Sequence, residues 1–233
     1  MVKTEFDILV GNYGSGKTEI SLNLALDARA EGKKTALVDL DIVNPYFRSS
    51  AHRKTLEEAG VHVIASPYAN CSIDLPLVAA ETVRIFTGEF DYAIVDVGGD
   101  PVGATALGRY RDNLEKVRDQ VKANYIINAC RPQTMNVPDI AAMFALIEGS
   151  SRLKMTGFIN NTNLADETSG AILYEGQDLV EDVARELGLP VRWITGRENV
   201  IADFKALAEK AGKPYQGETR VITTRMRPEW FSY

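Results

Sequence analysis

The sequence predicts an α/β fold, a doubly wound and mainly parallel sheet of seven or eight strands with helices on both faces. Two observations predict it. Short β-branched or aromatic runs alternate with stretches of helical spacing, and that alternation makes βαβ units and therefore a parallel sheet. The runs also carry few polar breaks, as in Ile8-Leu9-Val10 and Tyr92-Ala93-Ile94-Val95. A sheet covered on both faces requires such strands.

The elements follow in order. A first strand over Phe6–Val10 leads to a helix with Ile20, Leu24 and Ala28 on one face and Gly32 as its stop. Strands are predicted at Thr35–Asp39, His62–Ala65, Tyr92–Asp96 and Tyr125–Ala129. Asn136 then caps a helix carrying Ile140, Phe144 and Ile147. After a strand over Thr156–Asn160, an apolar stripe of Leu179, Val180, Val183, Ala184 and Leu187 ends at Gly188. A strand over Val191–Ile194 precedes a last stripe of Val200, Phe204, Leu207 and Ala211, ended by Gly212 and Pro214. The chain reads as one domain over 1–233. Residues 215–233 form a C-terminal tail, packed on by Trp230 and Phe231, whose Val221–Thr224 run adds an edge strand.

Composition narrows the function. The 233 residues are 45% hydrophobic and 25% charged, as in ordinary soluble domains. A net charge of −6 argues against a general nucleic-acid-binding surface. Cys71 and Cys130 form no CxxC pair, which fits a reducing cytoplasm and small buried thiols. No apolar run reaches the roughly 18 residues that span a membrane. A soluble, cytoplasmic protein is expected.

Parallel sheets bind ligands beyond the carboxyl ends of their strands. There the first strand runs into Gly11-Asn12-Tyr13-Gly14-Ser15-Gly16-Lys17-Thr18, which matches the phosphate-binding loop G-x-x-x-x-G-K-[ST]. Gly11, Gly14 and Gly16 let the backbone of Tyr13 and Ser15 wrap around phosphates, and the helix that continues through Glu19 adds its positive end. Lys17 is expected to reach the β- and γ-phosphates and Thr18 to ligate Mg²⁺. The second strand ends in Asp39 and, two residues on, Asp41; the fourth ends in Asp96 and is followed by Gly98, Gly99 and Asp100. Alternation puts Asp39 and Asp41 on one side. One of that pair then serves the metal shell with Asp96 while the other orients the attacking water, and the Gly99 backbone senses the γ-phosphate. The competing reading, that these aspartates cap turns, is strongest for Asp100. Arg48, Arg109 and Arg111 flank the switches and read as solvated surface; His52 and His62 read as structural or exposed.

With these residues in view the sequence resembles the ParA/MinD group of ATPases, within the class that includes dethiobiotin synthetase, the CobQ/CobB enzymes and the nitrogenase iron protein. The resemblance rests on the phosphate loop, VDLDIVNPYFR, FDYAIVDVGG, GFINNTN and GLPV. It implies Mg-ATP binding and slow, switch-coupled hydrolysis acting on a protein partner; the alternative is an ATP-dependent kinase or ligase of small molecules. It also implies that Asp39 holds a Mg²⁺ water, that Asp41 orients the attacking water and that Asn161, with Asn160 second, meets the adenine edge. ATP is expected in preference to GTP because Asn160-Asn161-Thr162-Asn163 offers no acid. One residue departs from the group: Asn12 stands where its members carry a lysine that reaches across a dimer. A homodimer is compatible with the sequence, but one driven by nucleotide is expected to be weak.

Overall fold

The computed structural model describes residues 3–41, 50–65 and 80–226. Eight strands form one sheet: β1 (Glu5–Val10), β2 (Thr35–Asp39), β3 (His62–Ile64), β4 (Tyr92–Asp96), β5 (Val121–Ile127), β6 (Gly157–Asn160), β7 (Val191–Gly196) and β8 (Glu218–Val221). Their spatial order is β3-β2-β4-β1-β5-β6-β7-β8 and every pairing is parallel. The sheet has eight strands, the upper of the two numbers expected.

Helices connect them: α1 (Lys17–Ala30), α2 (Ser50–Glu58), α3 (Pro101–Gly108), α4 (Arg111–Lys116), α5 (Val137–Ser151), α6 (Gly170–Leu187) and α7 (Glu198–Ala211). One apolar layer joins Ile20, Leu24 and Ala28 of α1 and Leu56 of α2 to Leu9, Leu37 and Ile94 of the sheet. The opposite layer joins Ile8, Val38, Val95 and Tyr125 to Leu107 of α3, Ile140 and Phe144 of α5 and Val180 of α6. Alternation along each strand separates the two sets, so helices cover both faces. Asn136 caps α5 through Asp139 N, as expected, and Gly188 and Gly212 end α6 and α7 in left-handed geometry.

Three helices, α2, α3 and α4, have no counterpart in the sequence reading, β5 begins four residues earlier than expected, and β8 covers Glu218–Val221 rather than Val221–Thr224. Arg48, Cys71, Trp230 and Phe231, with the Asn44–Phe47 stretch and the His52 side chain, lie outside what is described. His62 sits on the β3 edge, its Nε2 3.2 Å from Glu81 Oε1. Arg109 and Arg111 are exposed. No helix among the described residues is long and apolar enough to cross a membrane.

Candidate phosphate-binding site

The order of strands places β1 at the centre, between β4 and β5. The chain leaving β1 therefore turns in the middle of the sheet's carboxyl edge, and α1 starts there. Register then sets the carboxylates beside it. Asp96 pairs with Leu9 of β1 and with Asp39 of β2. Asp39 shares a face with Leu37, and Asp96 with Ile94, which is the face under α1. Asp39 and Asp96 thus stand side by side beneath the first turn of α1, both buried.

Gly11–Thr18 forms the cradle. Gly16 ends the loop at φ 90°, and a Cβ there would lie 2.1 Å from Asn161 Nδ2. Glycine is needed for both reasons. Lys17 folds back over the loop, donating to the Gly11 carbonyl at 3.0 Å and the Asn12 carbonyl at 3.1 Å. Burial lowers its pKa, while the charges of Asp96, Asp41 and Asp100 act the other way. Thr18 hydrogen-bonds Asp96. Burial pushes the Asp96 carboxyl up to about 6, against the pull of Lys17 and of that hydroxyl, and its Oδ1 is buried with no hydrogen-bond partner among the described residues. An oxygen of this kind, next to a threonine hydroxyl at a helix start, suits a hard cation or a water bound to one. No group of three or more His, Cys, Asp or Glu among the described residues could hold a metal by itself.

The second glycine pair lies against the cradle. A Cβ on Gly99 would fall 2.7 Å from Tyr13 N and 2.9 Å from Lys17 Nζ, so only glycine allows this approach. The Tyr13 ring itself is exposed. Asp41 N donates to Asp39 Oδ1 at 2.9 Å, and Asp41 Oδ1 lies 3.5 Å from the Cβ position of Gly98. Asp100 caps α3 by accepting from Gly103 N at 2.6 Å, so the turn-capping reading describes it.

A cavity of about 310 Å³ opens beside Gly14 and Gly16, a volume in the range of small-ligand pockets. Asn161, Asn163, Asp166, Arg131 and Arg197 line it, together with Glu19 and Met226. Asn161 is one of its walls, fixed between Ser15 O at 2.7 Å and Thr195 Oγ1 at 2.8 Å. Asn160 is not: it is fully buried, bonded to Gln177 and the Leu173 carbonyl. Sequence reasoning missed Asn128 and Arg131. Asn128 ties the β5 and β6 tips together through Asn163 N and O, each at 3.1 Å, and Arg131 Nε donates to Gly14 O at 3.2 Å. Their only sequence signal was a position just past a strand end. Asn12 is buried, its amide 3.5 Å from the Gln133 carbonyl.

Comparison with known proteins fixes the fold and redirects the family reading. No family model matches the chain. A signal recognition particle protein of Rickettsia conorii is 24% identical over 194 residues, 83% of this chain and 39% of that protein. The chain thus spans well under half the length of this curated relative. The cell division protein FtsY of Thermotoga maritima superposes with a TM-score of 0.58 at 22% identity, over 84% of this chain and 63% of that one. The 54 kDa signal recognition particle protein of Aeropyrum pernix, solved with GDP, gives 0.56 at 21% identity, over 90% and 49%. The architecture is a P-loop NTPase-like α/β fold.

The likeness runs to signal recognition particle proteins and FtsY, and the expectation of a ParA/MinD-type ATPase is corrected accordingly. The small-molecule kinase alternative rested on the same resemblance and falls with it. The reason is physical. The motifs that carried the resemblance, the phosphate loop and the strand-end aspartates, do phosphate and metal chemistry that any P-loop protein needs. The one residue particular to the group, the early lysine, is Asn12 here.

Proposed function

We propose that this chain is a Mg²⁺-dependent nucleoside triphosphate hydrolase and that its nucleotide is GTP. The observation carrying the first part is the convergence at one strand edge of Lys17, Thr18, Asp39 and Asp96 with the Gly99 backbone. Lys17 would exchange its two loop carbonyls for phosphate oxygens, a charge-assisted and stronger partnership. Thr18 would ligate Mg²⁺, with Asp39 and Asp96 holding its waters. Bound there, the metal would neutralise charge developing on the phosphates. Asp41, close to Lys17 and Gly98, is the group suited to orient the attacking water.

GTP is supported by the likeness to the signal recognition particle proteins and by Asp166 on the cavity wall. A carboxylate is an acceptor only, which matches the N1 and N2 hydrogens of guanine and not the adenine edge. The same likeness supports a protein partner, since the Rickettsia relative is named for a particle. Competition binding with GTP and ATP tests the base. GTP should displace a labelled nucleotide at least about tenfold better, a difference of roughly 1.4 kcal/mol. An ATP preference overturns the base assignment and leaves the phosphate reading standing.

A pH dependence follows from Asp96. Its folded pKa, about 6, lies above the ordinary 3.8, so the native state holds this proton longer than the unfolded chain does. In the ligand-free protein its contribution to stability therefore falls as pH rises through that window. Mg²⁺ binding needs the anion and has the opposite sign. With nucleotide present, apparent Mg²⁺ affinity should drop about tenfold per unit below pH about 6 and level off above it. Mg²⁺ titrations across that range check this. Asp96→Asn should remove the limb, leaving only the titration of the triphosphate itself.

A further inference from the structure

Residues 222–226, which follow β8, stay against the protein. Ile222 N donates to Gly196 O at 2.9 Å, and the next four residues run over the start of α1. Asn23, buried in α1, accepts from Thr223 N at 2.8 Å and donates to Thr223 O at 2.9 Å. Glu19 uses both carboxylate oxygens on the same segment, accepting from Arg225 N at 2.7 Å and Met226 N at 3.0 Å. Ile222, Thr224 and Met226 then line the cavity beside Gly14 and Gly16, and Met226 also packs against the apolar layer under α1.

We propose that residues 222–226 are the nucleoside-facing wall of the site, and that Glu19 and Asn23 are the positioning residues that hold it closed. The proposal rests on the nucleotide reading above and deepens it. In that reading α1 serves both ends of the ligand within one turn. Lys17 and Thr18 take the phosphates and metal; Glu19, the next residue, takes the wall. A carboxylate beside a polyanion site works against binding unless its charge is met by donors. The Arg225 and Met226 N–H groups meet it, which gives an otherwise adverse acid a role. Ile222 and Met226 supply apolar surface for a base or ribose face, and methionine adapts to irregular contacts.

The test compares a nucleoside diphosphate with pyrophosphate, because only the first reaches the wall. Displacement of a labelled nucleotide is measured for the full chain, Glu19→Ala and Met226→Ala, using whichever of GDP or ADP the wild type binds more tightly. Met226→Ala keeps the backbone hydrogen bonds of the segment and gives up only side-chain packing at the edge of the layer under α1, and a ligand-free melt confirms that it folds. The ratio of diphosphate to pyrophosphate affinity should fall about tenfold in Glu19→Ala, equivalent to roughly 1.4 kcal/mol, and severalfold in Met226→Ala. Glu19→Gln, which keeps one acceptor, should recover part of the loss. In the wild type, nucleotide should slow tryptic cleavage after Arg225. Equal losses for both ligands would mean that Glu19 merely supports α1, and an unchanged ratio in both variants would mean that the segment touches no nucleoside; either result overturns the wall. A wild type that binds neither ligand overturns the nucleotide reading itself, and the wall with it.

Discussion

Lys17→Ala is expected to abolish the thermal stabilisation that Mg-nucleotide gives the wild-type protein. A ligand that binds only the native state at one hundred times its dissociation constant contributes about 2.7 kcal/mol. For a domain of this size each kcal/mol moves Tm by about 2–4 °C, so the wild-type shift should be roughly 5–11 °C. The alanine variant should lose most of it. Lys17 carries a buried charge at the mouth of the loop, and its two carbonyl partners lie within the loop itself. Its removal leaves the apolar layer under α1 intact, and the protein should still fold. The ligand-free variant does lose the cation that Asp41, Asp96 and Asp100 face, so Asp96 should hold its proton to higher pH. Scanning fluorimetry with and without Mg-GTP and Mg-ATP measures the first effect, and ligand-free melts across pH measure the second. An unchanged nucleotide shift removes the phosphate cradle from this loop.

The parts of this molecule that were legible in sequence are those whose cause is local. Gly11–Thr18 needs only a strand before it and a helix after it, and both are there. The strand ends at Asp39 and Asp96 are legible because the apolar runs Ala36–Val38 and Tyr92–Val95 stop at them. Short helices with weak periodicity were not legible. In α3, Pro101-Val102-Gly103-Ala104 makes a poor helical stripe, although Asp100 as cap and Pro101 at the first position were signals that could have found it. The start of β5 was missed because Lys122 and Asn124 interrupt its apolar run. Asn124 is there to serve Asp7, donating to it at 2.9 Å, and Asp7 also takes Tyr92 OH at 2.5 Å and an ion pair with Arg192. A carboxylate inside an apolar strand can be afforded only with such partners, and Arg192 is 185 residues away. The same distance effect hid the C-terminal segment, whose anchors Glu19 and Asn23 lie about two hundred positions upstream. The family is hidden for another reason: the phosphate loop and the strand-end aspartates carry chemistry common to all phosphate loops, and a single residue, Asn12, separates the chain from the ParA/MinD group.

Asp41→Ala is expected to bind nucleotide as well as the wild type, or more tightly, while turnover falls by about a hundredfold or more. General-base and water-orienting groups contribute roughly 10²–10⁴ in rate. The affinity follows from electrostatics. Asp41 is a negative charge close enough to Lys17 to oppose, with Asp96, the lowering of its pKa by burial, and a triphosphate brought to that lysine meets the same charge as repulsion. Removing the carboxylate relieves it. A metal-shell role predicts the reverse, since losing a metal-ordering oxygen weakens Mg²⁺ dependence and binding together, which is the behaviour expected of Asp39→Ala. Geometry supports the division between the two. Asp39 is buried at the strand end beside Asp96. Asp41 is half-buried, and its Oδ1 lies 3.5 Å from where a Gly98 side chain would begin, at the glycine pair that borders Lys17. Asp41→Asn sharpens the test, because it keeps the shape and the hydrogen-bonding reach while discarding the charge. If orientation alone matters, the asparagine variant should retain part of the rate; if the carboxylate must also accept a proton, it should be as slow as alanine. Phosphate release under single-turnover conditions, paired with equilibrium binding of a non-hydrolysed analogue, separates these outcomes. Wild-type turnover in Asp41→Ala would take the water-orienting role away from this residue, and weakened binding there would move it into the metal shell with Asp39.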